Sequence, residues 1–194
     1  MAVPSPFPAK PDLRRAALAR RRDYARALNP DTRAALEHDL GARVLPHLVG
    51  ARVVAGYHPM KDEISPYAVL GLLGAGQRAA LPWFGGRDAR MMFRAAPATE
   101  AGPWNVLQPP AGAEALAPDV VLVPLVLADR AGTRIGHGKG HYDRALAHLR
   151  EGGRPVTTVG IAWDMQISAD PLPPDPWDVP LDFLATPAEW IACR

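Results

Sequence analysis

A strand-like apolar run, a bend of small residues and an amphipathic helix follow one another in the second half of this chain. The run is Val120-Val-Leu-Val-Pro-Leu-Val-Leu127, and the bend is Arg134-Ile-Gly-His-Gly-Lys-Gly-His-Tyr-Asp143. A short continuous apolar stretch reads as a central strand buried on both faces. In the bend, Gly136, Gly138 and Gly140 alternate with larger residues. Glycine lets the backbone take positive φ and lets a ligand approach the main chain closely. Successive N–H groups in such a bend form a concavity that holds anions. Tyr142, Ala145, Leu146 and Leu149 then share one helical face, so the bend feeds a helix N-terminus, where phosphate is favoured.

Two better-known phosphate patterns are excluded. The P-loop requires Ser or Thr after its lysine, whereas Gly140 follows Lys139. The dinucleotide rule requires G-x-G-x-x-G. Here Gly140 comes one residue early, and His141 holds the required position. A solvated glycine turn is the plain alternative. The cations Arg134 and Lys139, the helix start and Asp143 in its first turn favour a phosphate site.

With 194 residues the chain suffices for one domain with a sizeable core, and 48% apolar content is ordinary for a globular protein. Many of the 22 prolines gather in the first few positions and between Pro171 and Pro180, which implies extended, irregular segments there. Residues 1–9 are expected to form a flexible proline-rich N-terminus, and residues 10–194 a single α/β domain. A net charge of +2 does not by itself imply nucleic acid. Cys193 is the one cysteine, so no internal disulfide forms. No apolar run reaches membrane-spanning length, and no secretory h-region opens the chain. The expectation is a cytoplasmic monomer with neither membrane nor nucleic-acid partner.

Periodicity and capping signals predict helices over 12–28, 32–45 with Asp31 as N-cap, 66–73 and 141–149. They predict strands over 52–57, 79–83, 91–94, 120–127, 156–163 and 182–186. Strands alternating with helices imply a three-layer α/β/α fold with a mainly parallel central sheet. Ligands in such sheets bind beyond the carboxyl ends of the strands. That rule gathers the loop 58–63, the glycine bend and the segment 164–178 at one edge.

The stretch from Leu127 through Asp129, Gly132 and Arg134 to Asp143-Arg144 resembles the signature of the 5-formyltetrahydrofolate cyclo-ligase (methenyltetrahydrofolate synthetase) family. Other segments agree in order and spacing. Lys10-x-x-Leu13-Arg14 is similar to that family's nucleotide-contacting motif, and Met60-x-Asp62-Glu63 to its folate-side loop. Trp104-Asn105-x-x-Gln108-Pro109 resembles the segment before its central strand, and Asp178-x-x-Leu181-Asp182 its C-terminal acidic motif. The match departs at Ala128, where the family usually has Phe, and at His141, where it commonly has Tyr.

The resemblance implies ATP-dependent closure of 5-formyltetrahydrofolate to 5,10-methenyltetrahydrofolate, with ADP and phosphate as products. The formyl oxygen is phosphorylated, N10 attacks the formyl carbon, and phosphate leaves. No protein nucleophile is required. The resemblance assigns Arg134 and Lys139 to the transferring phosphoryl group. It gives ATP contacts to Lys10, Arg14, Arg134, Ile135, Gly136, His137, Gly138, Lys139, Gly140, His141 and Tyr142. Folate contacts fall to His58, Glu63, Trp104 and Tyr142, and Mg2+ to Asp143 and Asp178, with Asp129 and Asp182 as substitutes. Plainer readings stand beside these. Lys139 and Arg134 can be solvated cations, Tyr142 core, Glu63 a surface acid, Trp104 an anchor for a long connector and Asp178 a turn residue. Arg15, Arg20, Arg21 and Arg22 read as a solvated basic face. A paralogue that binds a nucleotide or phosphate metabolite without closing a folate ring is the alternative function. A nucleic-acid module using the basic first helix is a third, weakened by the near-neutral net charge.

Overall fold

The computed structural model describes residues 9–153 and 155–193, so the N-terminal segment expected to be flexible lies, Ala9 apart, outside the described residues. Helix α1 (Lys10–Ala27) carries Pro11 in its first turn, where a missing N–H removes no helical bond. Helix α2 (Pro30–Val44) begins on Pro30, and the Asn29 side chain accepts the Thr32 N–H at 2.8 Å. The cap is therefore Asn29, not Asp31. Proline at the first helical position drives the residue before it into extended backbone, which is the N-cap conformation.

Strand β1 (Val53–Ala55) is followed by a single helical turn, α3 (Tyr67–Leu70), then β2 (Arg78–Trp83) and β3 (Met92–Ala95). The expected connector 104–118 holds part of a small hairpin, β4 (Glu100–Ala101) and β5 (Leu107–Gln108). Next come β6 (Val120–Pro124), β7 (Leu127–Asp129), β8 (Arg134–Ile135) and α4 (His141–Glu151). The last strands are β9 (Thr157–Ile161), β10 (Ile167–Ser168), β11 (Phe183–Ala185) and β12 (Trp190–Ala192).

Among the described residues the main sheet runs β12-β11-β9-β6-β1-β2-β3. The five inner strands pair in parallel, while β12 and β3 run antiparallel at the two edges. Side chains of β6 alternate between two cores. Val121 and Val123 pack with Ala145 and Leu146 of α4 on one face. Val120 and Leu122 pack with Leu40 and Val44 of α2 and Val69 of α3 on the other. This is the expected three-layer α/β/α arrangement with a mainly parallel central sheet.

The apolar run 120–127 does not stay one strand. It leaves the main sheet at Pro124, whose nitrogen has no hydrogen to give a ladder. Gln166 Nε2 donates to the Leu125 and Val126 carbonyls in the gap. β7 then enters a second sheet, β10-β7-β8. That sheet receives α1, where Ala17 packs with Val126, Leu127, Ile135 and Leu172. The glycine bend thus leaves a small sheet that lies beside the ends of the main strands.

Candidate active site

The carboxyl ends of the inner strands open into a cleft of about 770 Å³. Tyr57 and His58 follow β1 into it, Phe84 follows β2, and Pro124 ends β6. The glycine bend, the start of α1 and the segment around Asp178 complete the walls. Every residue assigned by resemblance to ATP, folate or Mg2+ borders this cleft. The substitutes Asp129 and Asp182 do not. Asp129 is buried and accepts the Ala131, Thr133 and Leu172 N–H groups, so it shapes the β7–β8 turn. Asp182 accepts from the Thr158 N–H and hydroxyl elsewhere.

Gly138 (φ 84°) and Gly140 (φ 62°) are left-handed, and Gly140 is the N-cap of α4 without a side-chain cap. A Cβ at Gly138 would lie 3.3 Å from the Arg14 Cζ, so that guanidinium packs directly under the bend. Arg14 Nε also donates to the Gly136 carbonyl at 2.7 Å. The bend therefore turns an oxygen toward α1 and leaves the uncapped N–H groups at the helix start for a ligand.

The cations are not equivalent. Lys10 Nζ pairs with Asp175 at 2.7 Å and Asp178 at 2.5 Å. Burial pulls its pKa down, but hydrogen bonds and charges from the two aspartates outweigh that and raise it overall. Arg134 is buried; Nη2 pairs with Asp143 Oδ1 and Nη1 donates to the Val179 carbonyl, each at 2.5 Å. Lys139 is exposed at the cleft and has no ion-pair partner among the described residues.

Glu63, only 5% exposed, also borders the cleft. Its Oε2 accepts the Met60 N–H at 2.9 Å, and His137 Nε2 from the glycine bend lies 3.4 Å from Oε1. Arg21 reaches the same oxygen and also Asp62. The expectation that Arg21 belongs to a solvated basic face is wrong: it is 1% exposed. Tyr57, buried beside Glu63, donates to the Ile64 carbonyl at 2.7 Å. Burial, then the Glu63 charge, pushes both the Tyr57 and Tyr142 phenols up, so both stay neutral donors. His58 Nδ1 lies 3.0 Å from the Tyr67 hydroxyl at the rim.

Trp104 sits at the tip of the β4–β5 hairpin with φ 60°, next to Asn105 at φ 59°. Left-handed backbone at a tryptophan is uncommon, and such strain gathers at ligand sites. Its ring lies 5.2 Å from Phe84 and 5.0 Å from His141, with Phe84 and His141 5.0 Å apart. These three rings form an aromatic wall. Burial, then the charges of Arg144 and Lys139, lower the His141 pKa. Ala128, the other departure from the family signature, is fully buried in β7 and off the cleft. Sequence reasoning missed Arg21, Tyr57, Phe84, Asp175 and Trp177 as cleft or cleft-supporting residues.

Among the described residues no group of three or more His, Cys, Asp or Glu side chains is arranged to hold a metal ion. Asp143 and Asp178 are nevertheless brought together, because Val179 N–H, next to Asp178, donates to Asp143 Oδ1 at 3.2 Å. No helix is long and apolar enough to cross a membrane, among the described residues.

Residues 7–187 match the model of the 5-formyltetrahydrofolate cyclo-ligase family. A 5-formyltetrahydrofolate cyclo-ligase of Mycolicibacterium smegmatis is 30% identical over 193 residues, 94% of this chain and 95% of that one. Its counterpart in Escherichia coli K12 is 28% identical over 183 residues, 87% of this chain and 99% of that one. The NMR structure of Aquifex aeolicus 5,10-methenyltetrahydrofolate synthetase superposes with a TM-score of 0.77 at 28% identity, covering 95% of this chain and 93% of that chain. A signature loop, a cleft at the sheet's carboxyl edge and matches along nearly the whole length agree: the chain belongs to the 5-formyltetrahydrofolate cyclo-ligase family.

Proposed function

We propose that the protein uses ATP to close 5-formyltetrahydrofolate into 5,10-methenyltetrahydrofolate, releasing ADP and phosphate. One observation carries this reading. Lys139, without an ion-pair partner among the described residues, lies on an uncapped helix-entry bend and shares a single cleft with a buried acid, Glu63, and an aromatic wall. The first two suit a triphosphate; the last two suit a flat ring with an N–H-bearing edge. Relatives named as cyclo-ligases support it over the paralogue reading.

The reaction needs alignment and charge neutralisation more than covalent participation by the protein. The N–H groups from Gly138 to His141 would cradle the phosphates, with Lys139 as a point charge on the transferring group. Arg14 would support the bend from beneath. Arg134, tied to Asp143 and the Val179 carbonyl, would hold the bend and lend its field. Glu63 would accept from the pterin amino and ring N–H groups, with His58 at the rim and Trp104 and Tyr142 along the folate. The formyl oxygen attacks the γ-phosphorus and ADP leaves. N10 then attacks the formyl carbon, loses its proton, and the phosphate departs with its C–O bond.

Mg2+ fits the donors as this ion is usually held, by one or two carboxylates plus phosphate oxygens. Asp143 Oδ2 and Asp178 Oδ1 carry no hydrogen bond among the described residues, while their partner oxygens keep Arg134 and Lys10. The ion would supply charge neutralisation on the phosphates. The same reading takes the protein as a cytoplasmic monomer.

The test is incubation of purified protein with 5-formyltetrahydrofolate, Mg2+ and ATP. A new near-ultraviolet absorbance from the methenyl product is expected. Its absence at high protein concentration rejects the activity.

A further inference from the structure

Arg21 is the least exposed charged side chain among the described residues. It lies on α1 between Ala17 and Tyr24, both of which face the protein. Its Nε donates to Asp62 Oδ2 at 3.0 Å, and its Nη1 lies 3.1 Å from the Leu125 carbonyl and 3.4 Å from Glu63 Oε1. A buried ion pair adds little stability over an apolar packing of similar volume. The cost of desolvating this guanidinium therefore calls for a role beyond holding the fold.

Its surroundings point to one. Neither Arg21 nor Asp62 borders the cleft, but Glu63 does. Glu63 is held from three directions: by Arg21 from α1, by His137 from the glycine bend and by the Met60 N–H from its own loop. A glutamate side chain has three rotatable bonds, and a bidentate acceptor works only in one plane. The Leu125 carbonyl, itself fixed by Gln166, anchors the guanidinium to the end of the central strand.

We infer that Arg21 is a positioning residue for the cyclisation: it fixes the plane of the Glu63 carboxylate that receives the folate ring, without touching substrate. This rests on the assignment of Glu63 to the pterin edge. Lys10 and Arg14 lie about two to three turns nearer the start of α1, so the inference separates the two substrates. Loss of Arg21 should affect folate and spare ATP.

Calorimetry on Arg21→Gln and Arg21→Lys measures 5-formyltetrahydrofolate and ATP binding separately, alongside KM for each substrate and kcat. Arg21→Gln is expected to weaken 5-formyltetrahydrofolate binding about 10-fold, the low end for losing a partner that orients a metal ligand, and to leave ATP binding near that of the wild type. Arg21→Lys keeps the charge but loses the fork, so it should recover folding and only part of the folate affinity. If Arg21→Gln does not fold, the raised folate KM and unchanged ATP KM of Arg21→Lys carry the same test. Wild-type folate affinity in the folded variants, or an equal loss for both substrates, overturns the inference. Wild-type protein that fails to bind 5-formyltetrahydrofolate at all rejects the functional reading instead.

Discussion

Asp143 Oδ1 lies 2.5 Å from Arg134 Nη2, so the residue that opens the glycine bend is tied to the first turn of the helix that closes it. Both ends of the bend are thereby fixed before a ligand arrives, and less ordering remains for binding to supply. The Arg134 side chain is nearly inaccessible while that of Asp143 is about a quarter exposed, so the aspartate is the accessible half of the clamp.

Removing that half strands a buried cation. Asp143→Ala should lower stability by about 3 kcal/mol, the low end for breaking a buried pair, and raise the ATP KM. Urea denaturation checks the first effect and steady-state kinetics the second. A variant as stable as wild type would show that the Arg134 guanidinium finds compensation elsewhere.

Unlike Lys10 and Arg134, Lys139 has no carboxylate partner among the described residues, and its side chain is exposed at the cleft. Its charge is available to a ligand and contributes little to the fold. Lys139→Ala should cut kcat by about 10²–10³-fold, the usual effect of deleting one transition-state charge partner. The thermal midpoint should barely move. Turnover near wild type would remove Lys139 from the chemistry.

Gly138 tests the bend itself. Its φ of 84° and the Arg14 guanidinium 3.3 Å from a virtual Cβ leave no comfortable place for a methyl group. Gly138→Ala should cost about 1–2 kcal/mol from the left-handed backbone and weaken ATP more than folate. Equal weakening of both ligands would mean that the bend serves the cleft as a whole.

The His141 pKa lies below its ordinary 6.5 because of burial and then the charges of Arg144 and Lys139. The unfolded chain takes up a proton on this ring at higher pH than the folded chain does. Stability is therefore lost as pH falls from about 6.5 toward the folded pKa. In His141→Tyr, which does not titrate in that window, the thermal midpoint should fall less between those limits. Parallel pH profiles for the two proteins would assign the sensitivity to another group.

The central strand was legible because Val120 to Val123 are apolar without a break, and the bend because three glycines and two cations fall between Arg134 and Gly140. Lys10 and Arg14 were reached through the resemblance carried by Lys10-x-x-Leu13-Arg14, and both border the cleft. Arg21 was not, because its partners Asp62 and Glu63 lie 41 and 42 residues away and no local pattern announces them. Its place between Ala17 and Tyr24 on one helical stripe was the available signal. β12 was missed because it is a short edge strand whose existence depends on pairing with β11. The departure at Pro124 was visible in the sequence as a proline inside an apolar run. Its consequence, a second sheet, required knowing that β10 would arrive beside β7.

A crystal of the protein with a non-hydrolysable ATP analogue and Mg2+ addresses the main assignment most directly. Phosphate oxygens should lie within hydrogen-bonding distance of the N–H groups from Gly138 to His141 and of Lys139 Nζ. Nucleotide bound at any other place, with those groups facing solvent, would contradict it.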